Sequence, residues 1–262
     1  MKFKAKKSLG QNFLIDQSVI KNIIACANIE NKDILEVGPG TGSLTKEIIK
    51  NKPNSVILIE KDDDLAEYLK NFFGEKITLI NDDILKIDEY KLSKNKLIVF
   101  GNLPYNISTE ILIKWIININ EKFWFEKLIL MFQKEVADRI ISKFNKKNYD
   151  RLSIISQWKL KIEKKFDINP LAFFPRPKIN SSLLIFTPNT NYAKICSARS
   201  LETITRIFFN ERRKKIKKPL NKIFKNIDII KEKLDLNPDL RPHNLNNDIY
   251  YQLAKELDNL TG

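Results

Sequence analysis

Strand-like runs rich in Ile, Val and Leu alternate with helix-like stretches, and this alternation most constrains the fold. Seven runs of this kind are present: Asp33–Val37, Val56–Glu60, Ile77–Asp82, Leu97–Gly101, Leu128–Phe132, Lys159–Asp167 and Ser182–Thr187. Helical stretches at Ser43–Lys50, Asp62–Phe72 and Ser108–Ile119 separate most of the first five. This order predicts an α/β fold with a central, mostly parallel seven-stranded sheet and helices on both faces. No long helix separates the last two runs, which we interpret as an antiparallel pair closing one edge.

The pattern changes to helices alone after Pro188. One helical face is predicted from four apolar residues, Leu201, Ile204, Ile207 and Phe208. Two further amphipathic segments lie around Ile229–Leu234 and Ile249–Leu257. We therefore predict a main domain over residues 1–191 and a small all-α domain over residues 192–262.

Composition narrows the class of protein. The chain has 43% hydrophobic and 10% aromatic residues, as ordered globular proteins do. Two cysteines and one histidine disfavour a disulfide framework or a metal-binding cluster. The basic start lacks the apolar core of a secretory signal, and Lys114 interrupts the best membrane-span candidate. We expect a soluble, cytoplasmic monomer without a bound metal.

Positive charge predicts a polyanionic partner. Forty-six Lys and Arg residues against 32 Asp and Glu residues give a net charge of +14, which favours encounter with nucleic acid. The densest group, which we call the cationic run, is expected to bind RNA phosphates and consists of Arg212, Arg213, Lys214, Lys215, Lys217 and Lys218. A second predicted contact is the N-terminal group Lys2, Lys4, Lys6 and Lys7. His243, the single histidine, falls in a predicted loop without a nucleophile or base beside it.

Three of the seven glycines, Gly38, Gly40 and Gly42, directly follow the first predicted strand of the sheet. Glycines at this point allow a tight turn into a helix and let a ligand approach the backbone. Their spacing differs from the dinucleotide fingerprint, which would require glycine at Ser43. A pyrophosphate-binding NAD site is therefore disfavoured.

Acidic residues end the next two strands. Glu60 follows Gly38 by 22 residues, where a carboxylate can accept hydrogen bonds from both hydroxyls of a ribose. Asp82 and Asp83 end the third strand, where a carboxylate can reach the amine of an adenine. Since the carboxyl ends of parallel strands meet at one edge, we predict an adenosine pocket there. Without phosphate-binding features, its expected occupant is S-adenosylmethionine.

The fourth strand ends in Asn102-Leu103-Pro104-Tyr105, and Pro104 must end the ladder because it has no N–H. The Asn102 side-chain oxygen and the carbonyl of Leu103 or Pro104 are predicted to accept both hydrogens of an exocyclic amine. This would localise the nitrogen lone pair for attack on a methyl group. Tyr105 is predicted to stack on the base.

The whole chain resembles the small-subunit ribosomal RNA adenine dimethyltransferase family (KsgA type) of class I methyltransferases. The matching segments, in order, are Gly10–Leu14, Glu36–Gly42, Gly101–Tyr105, Phe173–Lys178 and Phe209–Lys214. The resemblance implies a Rossmann-like class I methyltransferase fold with a C-terminal helical domain. It also implies transfer of four methyl groups to N6 of two neighbouring adenosines in a hairpin loop near the 3′ end of 16S rRNA, with a role in small-subunit biogenesis and a pre-30S particle as partner.

The resemblance also implies roles for individual residues. Positions that match cofactor and substrate contacts of the family are Asn12, Leu14, Gly38, Gly40, Glu60, Asp83 and Asn102. Phe173 matches an aromatic that stacks near the target base, opposite Tyr105.

Two alternatives are open at this point. One is an erythromycin-resistance methyltransferase that acts on large-subunit rRNA, and Leu103 together with Phe209–Lys214 disfavours it. The other is a non-catalytic RNA-binding assembly factor, which the intact Asn102 and Tyr105 disfavour.

Overall fold

A computed structural model describes residues 5–6, 9–120, 122–195 and 197–261. Its strands are β1 Phe13–Leu14, β2 Asp33–Val37, β3 Ser55–Glu60, β4 Thr78–Asn81, β5 Leu97–Gly101, β6 Phe125–Gln133, β7 Leu160–Ile168, β8 Phe173–Phe174 and β9 Ser181–Pro188. Its α-helices are α1 Gln17–Ile24, α2 Ser43–Lys50, α3 Asp63–Phe73, α4 Ser108–Ile117, α5 Lys134–Ile140, α6 Arg151–Trp158, α7 Ala198–Asn210, α8 Lys217–Ile223, α9 Ile227–Lys233 and α10 Asn247–Thr261. None of these helices is long and apolar enough to cross a membrane.

The main sheet has seven strands in the order β4-β3-β2-β5-β6-β9-β7. The pairs β3 with β4, β2 with β3, β2 with β5 and β5 with β6 are parallel, while β9 runs antiparallel to β6. This confirms the predicted mostly parallel sheet, with β9 and β7 together at one edge. A separate two-stranded sheet pairs β1 with β8, with Phe13 opposite Phe174 and Leu14 opposite Phe173.

Hydrophobic burial explains why the central strands form. Every residue of β2 and of β5 is buried, as expected for strands covered on both faces. Asp62 caps the start of α3 by accepting a hydrogen bond from the Asp64 amide, which ends the turn after β3 and begins the helix. Strands β2, β3, β4 and β5 are parallel, so the loops that follow them lie at the same edge of the sheet.

The chain forms two compact units. The first contains the described residues up to Ala137 together with Ile162–Pro188, and the second contains Asp138–Lys161 and the residues from Asn189 onward. The second unit begins its longer segment at Asn189, close to the predicted boundary between residues 191 and 192. It also contains α6, which the prediction placed in the main domain. The assignment of separate functions to the two parts stays a prediction.

The second unit is helical around its own core. Helix α7 buries Leu201, Ile204 and Phe208 along one face, which confirms most of the predicted stripe. Asp150 caps α6 in a reciprocal capping box with Ser153. Thr205 and Tyr250 are also fully buried, so the helices enclose polar as well as apolar side chains.

Candidate active site

A cavity in the first unit lies at the carboxyl ends of β2–β5. Its wall contains the predicted contact residues from five chain segments: Asn12, Leu14, Gly38, Gly40, Glu60, Asp83, Asn102, Leu103, Pro104 and Tyr105. The parallel register explains this convergence, because Glu60 pairs with Asn81 and Val37 pairs with Gly101. The loops that follow these residues must therefore leave the sheet at the same edge.

The glycine turn needs left-handed backbone at three positions. Gly38, Gly40 and Gly42 have φ of 69°, 56° and 74°, a region that only glycine adopts without cost. A Cβ atom on Gly40 would lie 2.8 Å from Cδ1 of Phe13. In the cavity wall, the Phe13 ring thus packs directly against the backbone of Gly40. A side chain at position 40 would displace the ring.

Glu60 is buried and held by the backbone. Its Oε2 accepts a hydrogen bond from the Gly40 amide at 3.1 Å, and its Oε1 accepts one from the Asp62 amide at 2.9 Å. Burial raises the pKa of Glu60, and the amide hydrogen bonds oppose that shift. The Lys61 amide also acts on this carboxyl, and the lone pairs that its oxygens keep suit acceptance of hydroxyl hydrogens from a ligand in the cavity.

Asp83 is fixed at the end of β4. The Lys61 ammonium donates to its Oδ2 at 2.7 Å, and the Leu85 amide donates to its Oδ1 at 3.0 Å. The hydrogen bond from Lys61 lowers the pKa of Asp83, so this carboxylate is ionised at neutral pH. The neighbouring Asp82 also lines the cavity but is more exposed.

Two residues of this region were missed from the sequence. Glu36 lies on the cavity wall, buried in β2, where Thr45 donates to its Oε2 at 2.7 Å and burial raises its pKa to about 8. Lys114 donates to the carbonyls of Ile84 and Ile87 at 2.8 and 2.5 Å, and so ties α4 to the turn that follows Asp83. A charged residue inside an apolar strand or helix is the signal that identifies both.

The Asn102 side chain joins the end of β5 to the N-terminal segment. Its Nδ2 donates to the carbonyl of Asn12 at 2.7 Å. Among the described residues, no donor reaches its Oδ1. The Pro104 carbonyl accepts the Ile107 amide at 3.1 Å, whereas no described backbone amide outside the regular elements donates to the Leu103 carbonyl. Two acceptors, Asn102 Oδ1 and Leu103 O, are therefore available.

Tyr105 is held through its hydroxyl. The Tyr105 Oη and the Ser181 Oγ form a hydrogen bond of 2.6 Å, and burial raises the pKa of the phenol. The ring thus stays neutral and anchored to β9 at one end.

Phe173 lies elsewhere: it is only 2% exposed, packs in the apolar core and does not line the cavity, while Phe174 beside it is 60% exposed. The β1–β8 pairing puts these two rings on opposite faces.

The N-terminal segment is pinned to the start of α3. Lys6 forms ion pairs with Asp62 and Asp64 at 2.6 and 2.7 Å, and Gln11 donates to Asp62 at 2.7 Å. Lys6 is thus paired with two acids, and its contact with RNA stays a prediction. Lys2, Lys4 and Lys7 lie outside the described residues.

The cationic run lies in the second unit, between α7 and the first turns of α8. Acids neutralise part of it: Lys215 pairs with Asp239 at 2.7 Å, and Lys218 pairs with Glu211 at 2.8 Å. Arg212 instead donates to the Lys147 carbonyl. Within the cationic run, Lys215 and Lys218 are thus paired with acids, whereas Arg212 bonds to a neutral carbonyl.

The sheet order, the glycine turn after β2 and the acids after β3 and β4 define a class I S-adenosylmethionine-dependent methyltransferase. The cavity fits that cofactor, because the buried carboxyl of Glu60 and the ionised carboxylate of Asp83 both line it and retain lone pairs that can accept hydrogens from a nucleoside. Comparison with known families then makes the assignment specific. The profile of the family described as ribosomal RNA adenine dimethylase matches residues 2–259. The chain belongs to this family and is an rRNA adenine dimethyltransferase that uses S-adenosylmethionine.

Known relatives and structures agree with this assignment. A Pelagibacter ubique protein named ribosomal RNA small subunit methyltransferase A is 58% identical over 259 residues, covering 99% of each chain. A Wolbachia protein (strain wRi) of the same name is 40% identical, covering 97% of this chain and 94% of its own. The crystal structure of a dimethyladenosine transferase from Plasmodium falciparum has a TM-score of 0.78 at 25% identity, covering 94% of this chain and 98% of that one. The 23S rRNA methyltransferase ErmE has a TM-score of 0.67 at 20% identity, covering 94% of this chain and 100% of its own, and shares the fold.

Proposed function

We propose that this enzyme dimethylates N6 of two neighbouring adenosines in the hairpin loop near the 3′ end of small-subunit (16S) rRNA. The names of the relatives at 58% and 40% identity support the small subunit as the substrate. A pre-30S particle is then the partner, and the reaction belongs to small-subunit biogenesis. The observation that carries the chemistry is the paired acceptor at the end of β5, formed by Asn102 Oδ1 and Leu103 O.

Glu60 and Asp83 would hold S-adenosylmethionine in the cavity at the ends of β2–β4, where Glu60 would accept hydrogen bonds from the two ribose hydroxyls and Asp83 would accept one from the adenine amine. The bound donor would supply an electrophilic methyl group, whose transfer to the amine breaks the S–CH3 bond and leaves S-adenosylhomocysteine. Gly38 allows the donor to lie against the backbone, and Gly40 allows the Phe13 ring to close the adjoining wall. Asn12 and Leu14 cover the donor, because the N-terminal segment forms the adjoining wall.

The paired acceptor prepares the target amine. An adenine amine is a poor nucleophile because its lone pair is delocalised into the ring. Acceptance of both hydrogens, by Asn102 Oδ1 and by the carbonyl of Leu103 or Pro104, favours a tetrahedral nitrogen as the transition state forms. The Leu103 carbonyl is the better candidate, since the Pro104 carbonyl already accepts the Ile107 amide. The nitrogen becomes acidic only after methylation and then releases its proton to water, so no strong base is needed.

Aromatic and cationic side chains hold the RNA in this proposal. Tyr105 stacks on the extruded base, because its hydroxyl is anchored and its ring lies on the cavity wall. Phe173 is proposed as the opposite stacking residue from its match to the family, and that role requires its buried ring to move. The cationic run binds phosphates and positions the RNA without selecting the base.

Labelled S-adenosylmethionine with small and large ribosomal subunits from an unmethylated strain tests the proposal. Label on N6 of two adjacent adenosines near the 3′ end of 16S rRNA is the expected result. Label in the large subunit would assign an erythromycin-resistance type of specificity instead. No label in either subunit, with intact donor binding, would leave a non-catalytic assembly factor.

A further inference from the structure

Asp62 is a buried carboxylate that follows β3 and does not itself line the donor cavity. Its side chain is only 3% exposed and lies at the start of α3. Its Oδ1 accepts a hydrogen bond from Lys6 Nζ at 2.6 Å, and its Oδ2 accepts one from Gln11 Nε2 at 2.7 Å. The helix cap needs only the Asp64 amide, which donates to Oδ1 at 3.2 Å. Asp62 is therefore bonded to the N-terminal segment beyond what capping of α3 requires.

Asp62 reaches the cavity through two groups that do line it. Its backbone amide donates to Glu60 Oε1 at 2.9 Å, and its side chain accepts from Gln11. Glu60 and Gln11 both belong to the cavity wall. A displacement of Asp62 would therefore disturb the carboxyl proposed to hold the ribose and the N-terminal wall at the same time.

Two neighbouring residues of the N-terminal segment are anchored after two different strands. Gln11 is bonded to Asp62, which follows β3, while the Asn12 carbonyl accepts a hydrogen bond of 2.7 Å from Asn102, which follows β5. Strand β2 lies between β3 and β5 in the sheet. The segment therefore passes over the glycine turn that follows β2, and release of the Gln11 anchor would free one side of this wall.

Charge strengthens the anchor at Asp62. Burial alone would raise the pKa of Asp62, but the hydrogen bonds from Lys6 and Gln11 bring that pKa below its ordinary value. The hydrogen bond to Asp62 in turn raises the pKa of Lys6. Both groups are therefore charged at neutral pH. The bond from Gln11 is thus charge-assisted, and it is the stronger of the two anchors because the bond from Asn102 joins two neutral groups.

We propose that Asp62 is a positioning residue for the methyl donor, which holds the wall segment Leu9–Leu14 and the Glu60 carboxyl in the arrangement that retains the donor. The inference rests on the proposed function, because it takes Glu60 as the ribose contact. Asp62 acts through Gln11 and Glu60 and does not touch the donor. Loss of its bond to Gln11 should therefore speed donor release more than it slows methyl transfer.

Asp62→Asn removes this bond and keeps the helix cap, since asparagine caps helices as well as aspartate does. Because Oδ1 stays with Lys6 and the Asp64 amide, the new amide group takes the place of Oδ2 and cannot accept from Gln11. The dissociation constant of S-adenosylhomocysteine should rise about tenfold, as for loss of one hydrogen bond to a charged group, mainly through faster dissociation. Calorimetry and a rapid chase of labelled ligand measure both. The KM for S-adenosylmethionine should rise likewise, with a much smaller change in kcat.

A hydrogen bond of reversed polarity provides the rescue. Gln11→Glu alone puts a second carboxylate beside Asp62 and should also weaken binding. Combined with Asp62→Asn, it lets the new amide donate to the new carboxylate, which still accepts the Lys6 backbone amide that Gln11 Oε1 binds at 2.8 Å. Affinity of the double variant should return to within about threefold of the parent value. Additive losses would overturn the proposal, because reversing one bond does not repair a merely structural defect.

Asp150→Asn is the matched control. Asp150 also caps a helix and pairs with a cation, Arg139 at 2.7 Å, but it lies in the second unit. Its substitution should lower stability to a similar extent and leave the affinity for S-adenosylhomocysteine at the parent value. An equal loss of affinity in this control would show a general effect of destabilisation and contradict the positioning role.

Gln11→Met keeps the inference testable if Asp62→Asn does not fold. Gln11 precedes β1 and lies outside the main sheet, and methionine has a similar length without a donor group. Severalfold weaker binding of S-adenosylhomocysteine is expected. A parent-like affinity and dissociation rate in this variant would show that the Gln11 anchor does not retain the donor, and the proposal would be wrong.

Glu60→Gln separates this inference from the proposed function. Parent affinity for S-adenosylhomocysteine in this variant would show that the ribose contact in the proposed function is wrong. Weaker binding in Glu60→Gln together with parent-like binding in Asp62→Asn would show that only the positioning role is wrong. Weaker binding in both, with rescue of Asp62→Asn by Gln11→Glu, is the result expected if both hold.

Discussion

The cavity in the first unit and the cationic run in the second hold charges of opposite sign in opposite environments. In the cavity, the carboxyl groups of Glu36 and Glu60 are buried and each accepts hydrogen bonds from protein donors. In the cationic run, the side chains are half-buried or exposed, and Arg212, Arg213 and Lys214 form no ion pair with an acid among the described residues. Ligand binding and turnover in the cavity therefore depend on the placement of a few groups. RNA binding by the cationic run depends on the amount of positive charge. Substitutions in the cavity should alter turnover or donor affinity, and substitutions in the cationic region should alter the salt dependence of binding.

The largest expected effect comes from Asn102→Ala in the cavity. Loss of one amine acceptor should reduce kcat by about 100-fold or more, as loss of one transition-state hydrogen bond does elsewhere. Affinity for S-adenosylhomocysteine should change far less. Single-turnover methylation and calorimetry measure the two quantities. Asn95→Ala is the matched control, because that amide donates to Asp33 at the opposite end of the sheet; a similar loss of turnover there would indicate a general structural effect.

Gly40→Ala tests whether the glycine turn requires bare backbone. The new Cβ would lie 2.8 Å from the Phe13 ring, so donor affinity should fall about tenfold, with a loss of about 1 kcal/mol or more in stability from the positive φ. Gly74→Ala separates the two effects, because Gly74 has the same φ of 56° and no described heavy atom within 4 Å of the new Cβ. Equal donor affinities for the two variants would show that the Phe13 contact is unimportant.

The cationic run can be divided by pairs of substitutions. Arg212→Gln with Arg213→Gln should weaken RNA binding about tenfold at moderate salt, because these cations have no acid partner among the described residues. Lys215→Gln with Lys218→Gln should have the smaller effect, since Asp239 and Glu211 already offset those charges. Filter binding over a range of salt concentrations measures both. Identical losses would mean that the run acts only through its summed charge.

The smallest expected effect is the pH dependence of stability due to Glu36. Its pKa is about 8 in the folded protein and ordinarily 4.5, so the folded state retains a proton that the unfolded state releases between these values. The free energy of unfolding should therefore decrease as pH rises through this window, by about 1 kcal/mol or more. Glu36→Gln should lose this dependence, as thermal unfolding from pH 5 to 9 will measure. Glu47→Gln, at a surface ion pair with Lys50, serves as the control, and parallel profiles for the parent and Glu36→Gln would contradict the prediction.

Much of the fold could be predicted because hydrophobic runs and glycine turns are local signals. Strand β2 was predicted to the residue. Strand β6 is longer than predicted, because Glu126 and Lys127 interrupt the apolar run that the pairing with β5 extends. Helix α8 was not predicted, since Pro219 and the neighbouring lysines disfavour a helix; Pro219 is tolerated in the first turn, where its missing N–H needs no partner.

The candidate site was predictable where residues follow strands of one parallel sheet. Glu60, Asp83 and Asn102 converge because each one ends or follows a strand of one parallel sheet, and the carboxyl ends of parallel strands meet at one edge. The burial of Phe173 and the exposure of Phe174 depend on the β1–β8 pairing, which joins segments about 160 residues apart and leaves no periodic signal. The ion pair of Lys215 with Asp239 and the hydrogen bond of Arg212 to the Lys147 carbonyl are likewise tertiary, so a run of charges in the sequence does not reveal which charges are paired with acids.

The small β1–β8 sheet links the segment beside the donor cavity to the segment that contains Phe173. Only two residue pairs form this ladder, so its few hydrogen bonds contribute little free energy and local opening should be frequent. Because the Ile15 amide donates to the Ala172 carbonyl, the hydrogen-bonded pair of this antiparallel ladder is Phe13 with Phe174. Amide hydrogens of Phe13 and Phe174 should then exchange with deuterium faster than those of β5. Binding of either ligand should slow exchange on both strands at once, so loading of methyl donor and docking of RNA would be thermodynamically cooperative.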